Sequence, residues 1–258
     1  MGTEAIDPQS IRNVTIIGGT DDAARVGSRL QHRVGRSAAA HWVTDHVDHT
    51  IRIAELAISA PIAALERSVR MADGVIVIVD ASDNCAPRFA TLLRIADDHQ
   101  IARLCLVTGL DRPGADFDRC VRMIADTRGA VPMPVQIPAG TGAEFEGVID
   151  LVPMWALEPM GVEFYGHRWQ VAEQRYADLV ATVTEQDDPD SVKVTGRRQV
   201  PPGQLYDRIR RLTHIGDAVP VLCDPAPWSD DISPLLDAIV RYLPSPMHVC
   251  QPEHALDY

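Results

Sequence analysis

Lysine is almost absent from this sequence. The 258 residues include 24 lysines and arginines together, yet Lys193 is the single lysine. Chemistry that needs a lysine ammonium group is therefore excluded at every position but one. The formal net charge of −12 argues against autonomous RNA or DNA binding, because such binding rests on clustered cations that neutralise phosphates.

Closely spaced cysteines and long apolar runs are also lacking, and we expect no leader sequence. The cysteine count of five is odd and no two are close in sequence, which argues against a disulfide or zinc framework. No apolar run approaches the ~18–20 residues of a membrane span. The first ten residues lack the basic and apolar regions of a signal peptide. We therefore expect a cytoplasmic protein without membrane contact.

Apolar runs alternate with helical patterns along most of the chain. Val14–Ile17, Gly74–Asp80, Leu104–Val107 and Val219–Cys223 have the composition of buried strands. Each of the first three is followed by a helical pattern. The first such helix is predicted over Ala23–His32, with Asp21 or Asp22 as its N-cap. Strands that alternate with helices predict βαβ units and a mostly parallel sheet.

The pattern changes between residues 131 and 213. Strand-like pieces come first and two helices follow, predicted over Val135–Ile137, Val148–Pro153, Phe164–Trp169, Ala172–Glu185 and Gln204–Arg211. The α/β alternation then resumes. We therefore predict an α/β domain of residues 1–130 and 214–246, an inserted α+β subdomain of residues 131–213, and a tail of residues 247–258.

Eight phrases in this order resemble the GTP-binding (G) domain of bacterial elongation factor G, a translational GTPase, with its inserted G′ subdomain. They are Ile11–Ile17, Leu65–Arg70, Asp73-Gly74, Asp111–Met123, Phe145–Leu151, Thr184–Asp188, Val219–Cys223 and Leu235–Pro246. The resemblance implies a P-loop NTPase-like fold: a mostly parallel sheet flanked by helices, with a G′-like insertion. It also implies GTP or GDP with Mg²⁺ as the ligand of the family. The domains that follow the G domain in elongation factor G are absent from this sequence.

The phosphate-binding loop departs from the family pattern. The family has Gly-Lys-Thr at the helix entry, where the lysine contacts the β- and γ-phosphates and the hydroxyl binds Mg²⁺. Here the aligned residues are Ala23, Ala24 and Arg25, with Asp22 beside them. Arg25 is the remaining candidate for a phosphate contact, although it lies ~100° further round the helix than the lysine. No residue replaces the metal ligand.

The guanine-binding motif is half retained. The family's Asn-Lys-x-Asp is Thr108-Gly109-Leu110-Asp111 in this sequence. Asp111 is the residue that would accept two hydrogen bonds from guanine, although a structural role in a loop or helix cap is the other interpretation. The lysine that covers the base is replaced by Gly109. Since Ala24 and Gly109 stand at the two lysine positions, the sequence predicts that both cations were lost rather than exchanged for arginine.

The hydrolytic machinery is missing from the switch regions. The first switch is reduced to residues 31–36, too short to include the threonine that closes over the metal. The second should contain Asp-Thr-Pro-Gly-His, yet Ala54–Ser59 has neither the glycine nor the histidine. In the later Ser-Ala motif, Pro225-Ala226 removes a backbone donor. We therefore predict loss of GTP hydrolysis.

Three functional hypotheses follow. The first is a pseudo-GTPase without a cofactor or metal, acting as a translation-linked interaction module. Its partner would be the ribosomal stalk protein or another translation component, bound through residues 131–213. The second is a GTP- or GDP-binding protein that uses Asp111 and Arg25, with Mg²⁺. The third is a paralogue without a present role. A metal site at His46 and His49 is disfavoured, because strand alternation places them on opposite faces.

Overall fold

The computed structural model describes residues 7–34, 39–44, 46–83, 87–157, 166, 168–187 and 200–248. Nine strands lie in these ranges: β1 (Ile11–Gly18), β2 (Ala39–Thr44), β3 (Val47–Ala57), β4 (Gly74–Asp80), β5 (Ala102–Thr108), β6 (Val131–Pro134), β7 (Gln136–Pro138), β8 (Val148–Asp150) and β9 (Ala218–Cys223). There are seven α-helices in the same ranges: α1 (Thr20–Val34), α2 (Ile62–Arg70), α3 (Pro87–Asp98), α4 (Phe117–Ala125), α5 (Arg168–Asp187), α6 (Pro202–His214) and α7 (Ser233–Tyr242). Short 3₁₀ helices occur at Pro8–Ser10, Gly142–Glu144 and Val152–Leu157.

Seven strands form one sheet in the order β2-β3-β1-β4-β5-β9-β6. All neighbouring strands are parallel except β2, which pairs antiparallel with β3. The predicted mostly parallel sheet is confirmed. Strands β2 and β3 form an antiparallel hairpin, and His46 in its turn has a φ of 65°.

The centre of the sheet is covered on both faces. All seven residues of β5 and all six of β9 are buried, as are the first six of β4. A parallel strand covered by helices on both sides requires such a continuous apolar run. The strands predicted there are confirmed. Strands β5 and β9 are longer, by one or more residues, than the apolar runs from which they were predicted.

Helix α1 begins earlier than the sequence indicated. Its first residue is Thr20, so Asp21 and Asp22 lie in its first turn, and the prediction that one of them is the N-cap is wrong. Gly19 alone separates the end of β1 from this helix. Two carboxylates in the first turn interact favourably with the helix dipole, which helps the helix to start this close to the strand.

The segment 131–213 is divided between the two sheets. Strand β6 pairs with β9 at the edge of the large sheet, whereas β7 and β8 form a separate two-stranded sheet. The sequence did not predict strand β6, because Pro132 and Pro134 argue against a central strand. Strand β6 lies at the edge of the sheet, where proline is tolerated. The predicted strand Phe164–Trp169 is wrong at its end, since Trp169 lies in α5. The first two residues of that predicted strand lie outside the described ranges. Residues 249–258 of the predicted tail also lie outside them. The division into two domains stays a prediction.

Candidate functional site

Charged side chains from three elements meet at the carboxyl ends of the parallel strands, where open α/β sheets bind ligands. Asp80 ends β4, Asp22 lies in the first turn of α1, and Arg112 follows β5. The Arg112 guanidinium donates a short hydrogen bond to Asp80, and its other terminal nitrogen lies 3.6 Å from Asp22. The second oxygen of Asp80 accepts bonds from the backbone and hydroxyl of Ser82, at 2.8 and 2.7 Å. The side chains of Asp80 and Arg112 therefore each have contacts with two residues: Asp80 with Ser82 and Arg112, and Arg112 with Asp80 and Asp22.

A second group of ion pairs joins α1 to the end of β9. Asp224 follows β9 and is only 1% exposed. It accepts a hydrogen bond from Arg29 at 2.6 Å, and its other oxygen lies 3.9 Å from Arg25. Arg25 also donates to Asp22 at 3.0 Å. Arg25 thus connects the two groups into one network.

The resulting network (Asp22, Asp80, Asp224, Arg25, Arg29 and Arg112) has three carboxylates and three guanidinium groups, so its formal charge is zero. Burial raises the pKa of Asp22, and Asp80 and Asp21 raise it further. Arg25 and Arg112 oppose these effects by lowering the same pKa. Because each buried charge already has a partner of opposite sign, the network needs no external ion for neutrality.

Gly109 is required by this arrangement. Its φ of +66° is one that other residues rarely adopt, and a Cβ there would lie 2.4 Å from Oδ1 of Asp80. The same Cβ would lie 3.2 Å from Cδ of Arg112. Asp80 cannot move aside easily, because Ser82 and Arg112 hold it. A lysine at this position is incompatible with the network.

The family follows from a comparison with known protein families. A family model described as the elongation factor Tu GTP binding domain matches residues 62–245, which is well over half of the chain. The chain belongs to this family. It is a translational GTPase-type G domain, as its motifs predicted.

A solved structure supports the same fold. The crystal structure of a protein from Thermus thermophilus matches with a TM-score of 0.71 at 17% identity. The match covers 93% of this chain and 41% of that protein, so this chain spans less than half of the relative's length. At this identity the likeness establishes the fold alone. The P-loop NTPase-like fold is confirmed.

The residues aligned with the family's phosphate loop lie mostly in helix α1. Ala23, Ala24 and Arg25 lie within the first two turns of α1, and the N–H of Ala23 donates to the carbonyl of Gly19 at 2.9 Å. A phosphate loop instead directs its backbone N–H groups at the ligand. Gly18 is a packing residue, since a Cβ there would lie 2.8 Å from Cβ of Ile78.

The two predicted site residues have different surroundings. Arg25 is engaged by Asp22 and Asp224, as described above. Asp111 is half-buried, and its carboxylate has no hydrogen bond or ion pair with any residue that the structure describes. Nearby, the N–H of Ala226 is directed at Asp224 at 3.4 Å. Phosphate binding by Arg25 and guanine binding by Asp111 stay predictions.

The segment aligned with the second switch is held in place. Residues 54–57 belong to β3 and pair with β1, and the N–H of Ile58 donates to Gly18 at 2.8 Å. Arg88 of α3 donates to the carbonyls of Ile58 and Ala60, at 3.1 and 2.9 Å. The segment aligned with the first switch lies partly at the end of α1 and partly outside the described residues.

The other candidate sites contribute no ligand set within the described residues. No group of three or more potential ligands there is arranged to hold a metal ion. His41 lies 3.7 Å from Asp48 across the β2–β3 hairpin, and both side chains are exposed. No helix in the described ranges combines the length and the apolar character needed to cross a bilayer.

The residue that sequence reasoning missed is Arg112. Comparing aligned positions suggested that the guanine-side cation was lost at Gly109. In the structure a guanidinium three residues further on extends back past Gly109 to Asp80. The Arg112 guanidinium is paired with Asp80 and Asp22, and the prediction that both family lysines were lost rather than exchanged for arginine stays a prediction. The available signal was the pair Gly109 and Arg112: a missing side chain beside a long basic one.

Proposed function

We propose that this protein is a pseudo-GTPase: a translational GTPase-type G domain that does not hydrolyse GTP and acts through its surface. The observation that carries the proposal is the neutral network of Asp22, Asp80, Asp224, Arg25, Arg29 and Arg112 at the ligand-binding edge of the sheet. A nucleotide polyphosphate there would have to separate arginines from buried carboxylates. The Arg29–Asp224 pair is buried, and removing one partner of a buried ion pair costs about 3–5 kcal/mol.

Two further features support loss of catalysis. The segment aligned with the phosphate loop is helical from Thr20 onward, and the N–H of Ala23 donates to the carbonyl of Gly19 within this helical turn. The second switch segment is fixed by β1 and by Arg88. A GTPase that switches needs this segment to respond to the γ-phosphate. Both features support a G domain without a phosphate cradle and without a moving switch segment.

Calorimetric titration with GTP and GDP in the presence of Mg²⁺ tests the proposal. We expect no binding up to about 1 mM nucleotide, that is, a binding free energy weaker than about −4 kcal/mol. An active translational GTPase measured under the same conditions is the positive control. Micromolar binding to the wild type would contradict the proposal.

The second candidate function is binding of GTP or GDP through Asp111 and Arg25. It is favoured by one observation: the half-buried Asp111 carboxylate has no partner among the described residues. If nucleotide binds and Asp111→Ala abolishes the binding, the guanine contact is retained and this candidate replaces the first. Asp230→Ala, which removes an exposed carboxylate elsewhere, is the matched control.

We further propose that the partner is a translation component, with the ribosomal stalk protein as the candidate, bound through residues 131–213. Helix α5 is the most suitable element of this segment. One of its faces is buried through Trp169, Ala172, Tyr176, Leu179 and Val183. Its opposite face is exposed and includes two acidic side chains, Asp178 and Glu185. Such a face favours a basic partner surface.

Binding to the isolated C-terminal domain of the stalk protein tests the partner. We expect saturable binding that Glu185→Arg weakens at least tenfold, because the substitution reverses a charge on the exposed face of α5. Asp230→Arg makes the same charge change at another exposed site and should leave the affinity unaltered. The stalk protein is rejected as the partner if the wild type does not bind it at high concentration.

A further inference from the structure

The two edges of the seven-stranded sheet differ in their chemistry. Strand β6 contains Pro132 and Pro134, which lack the N–H groups that a further strand would pair with, and α5 packs against it. Strand β2 is the other edge. Its residues Ala-Ala-His-Trp-Val-Thr include no proline and no acidic, lysine or arginine side chain. Proteins commonly protect an edge strand with such residues, so one edge is protected and the other is open.

The open edge is also regular and exposed. Six consecutive residues of β2 pair with β3 in unbroken register, from Ala39 opposite Arg52 to Thr44 opposite Val47. Val43 is 64% exposed and the His41 side chain is 59% exposed. Trp42 is held on the fold by a hydrogen bond of 2.8 Å to Asp237 of α7. Among the described strands, only β3 pairs with β2. The backbone groups on its outer side are therefore oriented to pair with a further strand.

We propose that the edge of β2 (Ala39–Thr44) is a self-association surface, whose occupant is β2 of a second copy of this chain. Antiparallel pairing about a two-fold axis at His41 joins the two sheets into one of 14 strands, twice the seven of one copy. This inference is independent of the function proposed above. It concerns a different edge of the sheet and none of the residues of the ion-pair network.

The side chains of β2 complement one another in this register. Residues directly opposite in an antiparallel pair lie on the same face. With His41 opposite His41 of the second copy, Ala39 lies opposite Val43 and Ala40 lies opposite Trp42. A small side chain thus meets a large one on both faces. No acidic or arginine side chain lies on the strand, so a chain of net charge −12 can pair here without placing like carboxylates opposite each other.

A second copy fits better than an unrelated extended segment, because a two-fold dimer leaves no unprotected strand edge for a third chain. A two-fold contact uses the same patch on both subunits, and the opposite edge at β6 is blocked by its prolines, so pairing stops at two chains. A chain with two unprotected edges would instead form fibres. The pairing that the structure permits is therefore a dimer.

Sedimentation velocity on the full chain between about 1 and 200 μM is the first test. We expect a species of twice the 28.2 kDa chain mass. His41→Lys, which places two ammonium groups opposite each other on the axis, should weaken the dimer at least tenfold. Met71→Lys adds the same charge at an 80% exposed site away from the strand and should not. Circular dichroism verifies that each variant is folded. A wild type that stays monomeric throughout overturns the proposal.

Cysteine cross-linking tests the register. His41→Cys brings two thiols together across the axis, where paired Cα atoms lie about 4.5–5.5 Å apart, within the range for a disulfide. We expect a disulfide-linked dimer of this variant after mild oxidation with diamide, and none of Met71→Cys or the wild type above the background of the native cysteines. Cross-linking of His41→Cys no faster than Met71→Cys overturns the assignment. A dimer that forms but resists His41→Lys overturns it as well.

Discussion

Gly109, Asp80 and Arg112 show why a residue with a side chain does not fit at the position of the family's lysine. Glycine stands where the family has lysine, and its lack of a side chain leaves space beside Asp80. That space is occupied by the carboxylate of Asp80 and the stem of Arg112, at 2.4 and 3.2 Å from where a Cβ would lie. The charge of Arg112 also lies here, and it is neutralised by Asp80 and Asp22. The site is therefore closed by its own side chains.

Gly109→Ala should lower the free energy of unfolding by about 1–3 kcal/mol more than Gly114→Ala does, as expected for local strain. Both glycines have a positive φ, at +66° and +80°, but a Cβ at Gly114 would meet no atom within 4 Å. The difference between the variants therefore isolates the collision with Asp80. Urea denaturation measures it. Equal losses of stability would mean that Asp80 moves aside, and that the network does not exclude a side chain at Gly109.

Arg29→Ala should lower the free energy of unfolding by about 3–5 kcal/mol, because it leaves the 1% exposed Asp224 without its hydrogen-bonded partner. Arg122→Ala is the control, since it breaks an exposed ion pair with Asp116 that should contribute about 0–1 kcal/mol. Denaturant titration of both variants at neutral pH provides the comparison. If the two losses are the same, the network does not anchor α1 to the end of β9.

At the scale of secondary structure, the most consequential change is the start of α1 at Thr20. The Ala23-Ala24-Arg25 sequence allows this because alanine and arginine are strong helix formers, whereas glycine in the family pattern disfavours helix. The early start of α1 is therefore consistent with the helix propensity of these residues. Strand β3 is a similar case: Ala54–Ala57 continue the strand where the family has a glycine-containing switch.

The end of strand β8 provides a pH-dependent prediction. The pKa of Asp150 is raised to about 6, mainly by burial and to a smaller extent by Asp237, and this value includes the opposing effects of the N–H of Val152, Arg241 of α7 and the side chain of Gln136. The folded state therefore holds a proton between about pH 4 and 6 that the unfolded chain releases. The stability contributed by this proton is present below about pH 4 and is lost as the pH rises through 6.

Asp150→Asn should therefore gain stability relative to the wild type between pH 4.5 and 7.5, by on the order of 2 kcal/mol. The amide keeps the oxygen that accepts from Val152 at 3.2 Å but does not ionise. Thermal or urea unfolding at both pH values measures the difference. Asp230→Asn, an exposed carboxylate removed in the same way, is the control. A difference from wild type that is independent of pH would contradict the assigned pKa.

Most elements could be predicted from the sequence, and the errors have physical causes. Apolar runs located β4, β5 and β9 because strands covered on both faces need them. Strand β6 was missed because proline is excluded only from strands with two neighbours, and position in the sheet is not encoded locally. Of the site, the vacant lysine positions could be predicted, but the network could not. Arg25, Asp80 and Arg112 are far apart in sequence and meet only when β1, β4 and β5 align.

The whole molecule is organised around the large sheet, with a smaller sheet of β7 and β8 beside it. The central strands β4, β5 and β9 are fully or almost fully buried, whereas β7 and β8 have three residues each and pair only with one another. Local opening costs least where few buried contacts are lost. The two sheets should therefore differ in the free energy of local opening.

Hydrogen exchange measured by mass spectrometry should reveal this difference. We expect the amides of β4 and β5 to exchange only through global unfolding, and those of β7 and β8 to exchange through local opening at a lower free energy. Peptides from β6 should follow the large sheet, because β6 pairs with β9. Uniform protection across both sheets would argue against treating β7 and β8 as part of a separate subdomain.

The near absence of lysine determined, by itself, that neither family lysine could be present, and the order of the motifs determined the family and the fold. These properties depend on residue identity and local pattern, which a sequence contains in full. Tertiary structure alone decided that Arg112 lies next to Gly109 and contacts Asp80, that three arginines and three aspartates neutralise one another, and that β2 rather than β6 is the open edge among the described strands. Each of these depends on distances between residues remote in sequence, which are set only when the strands come together.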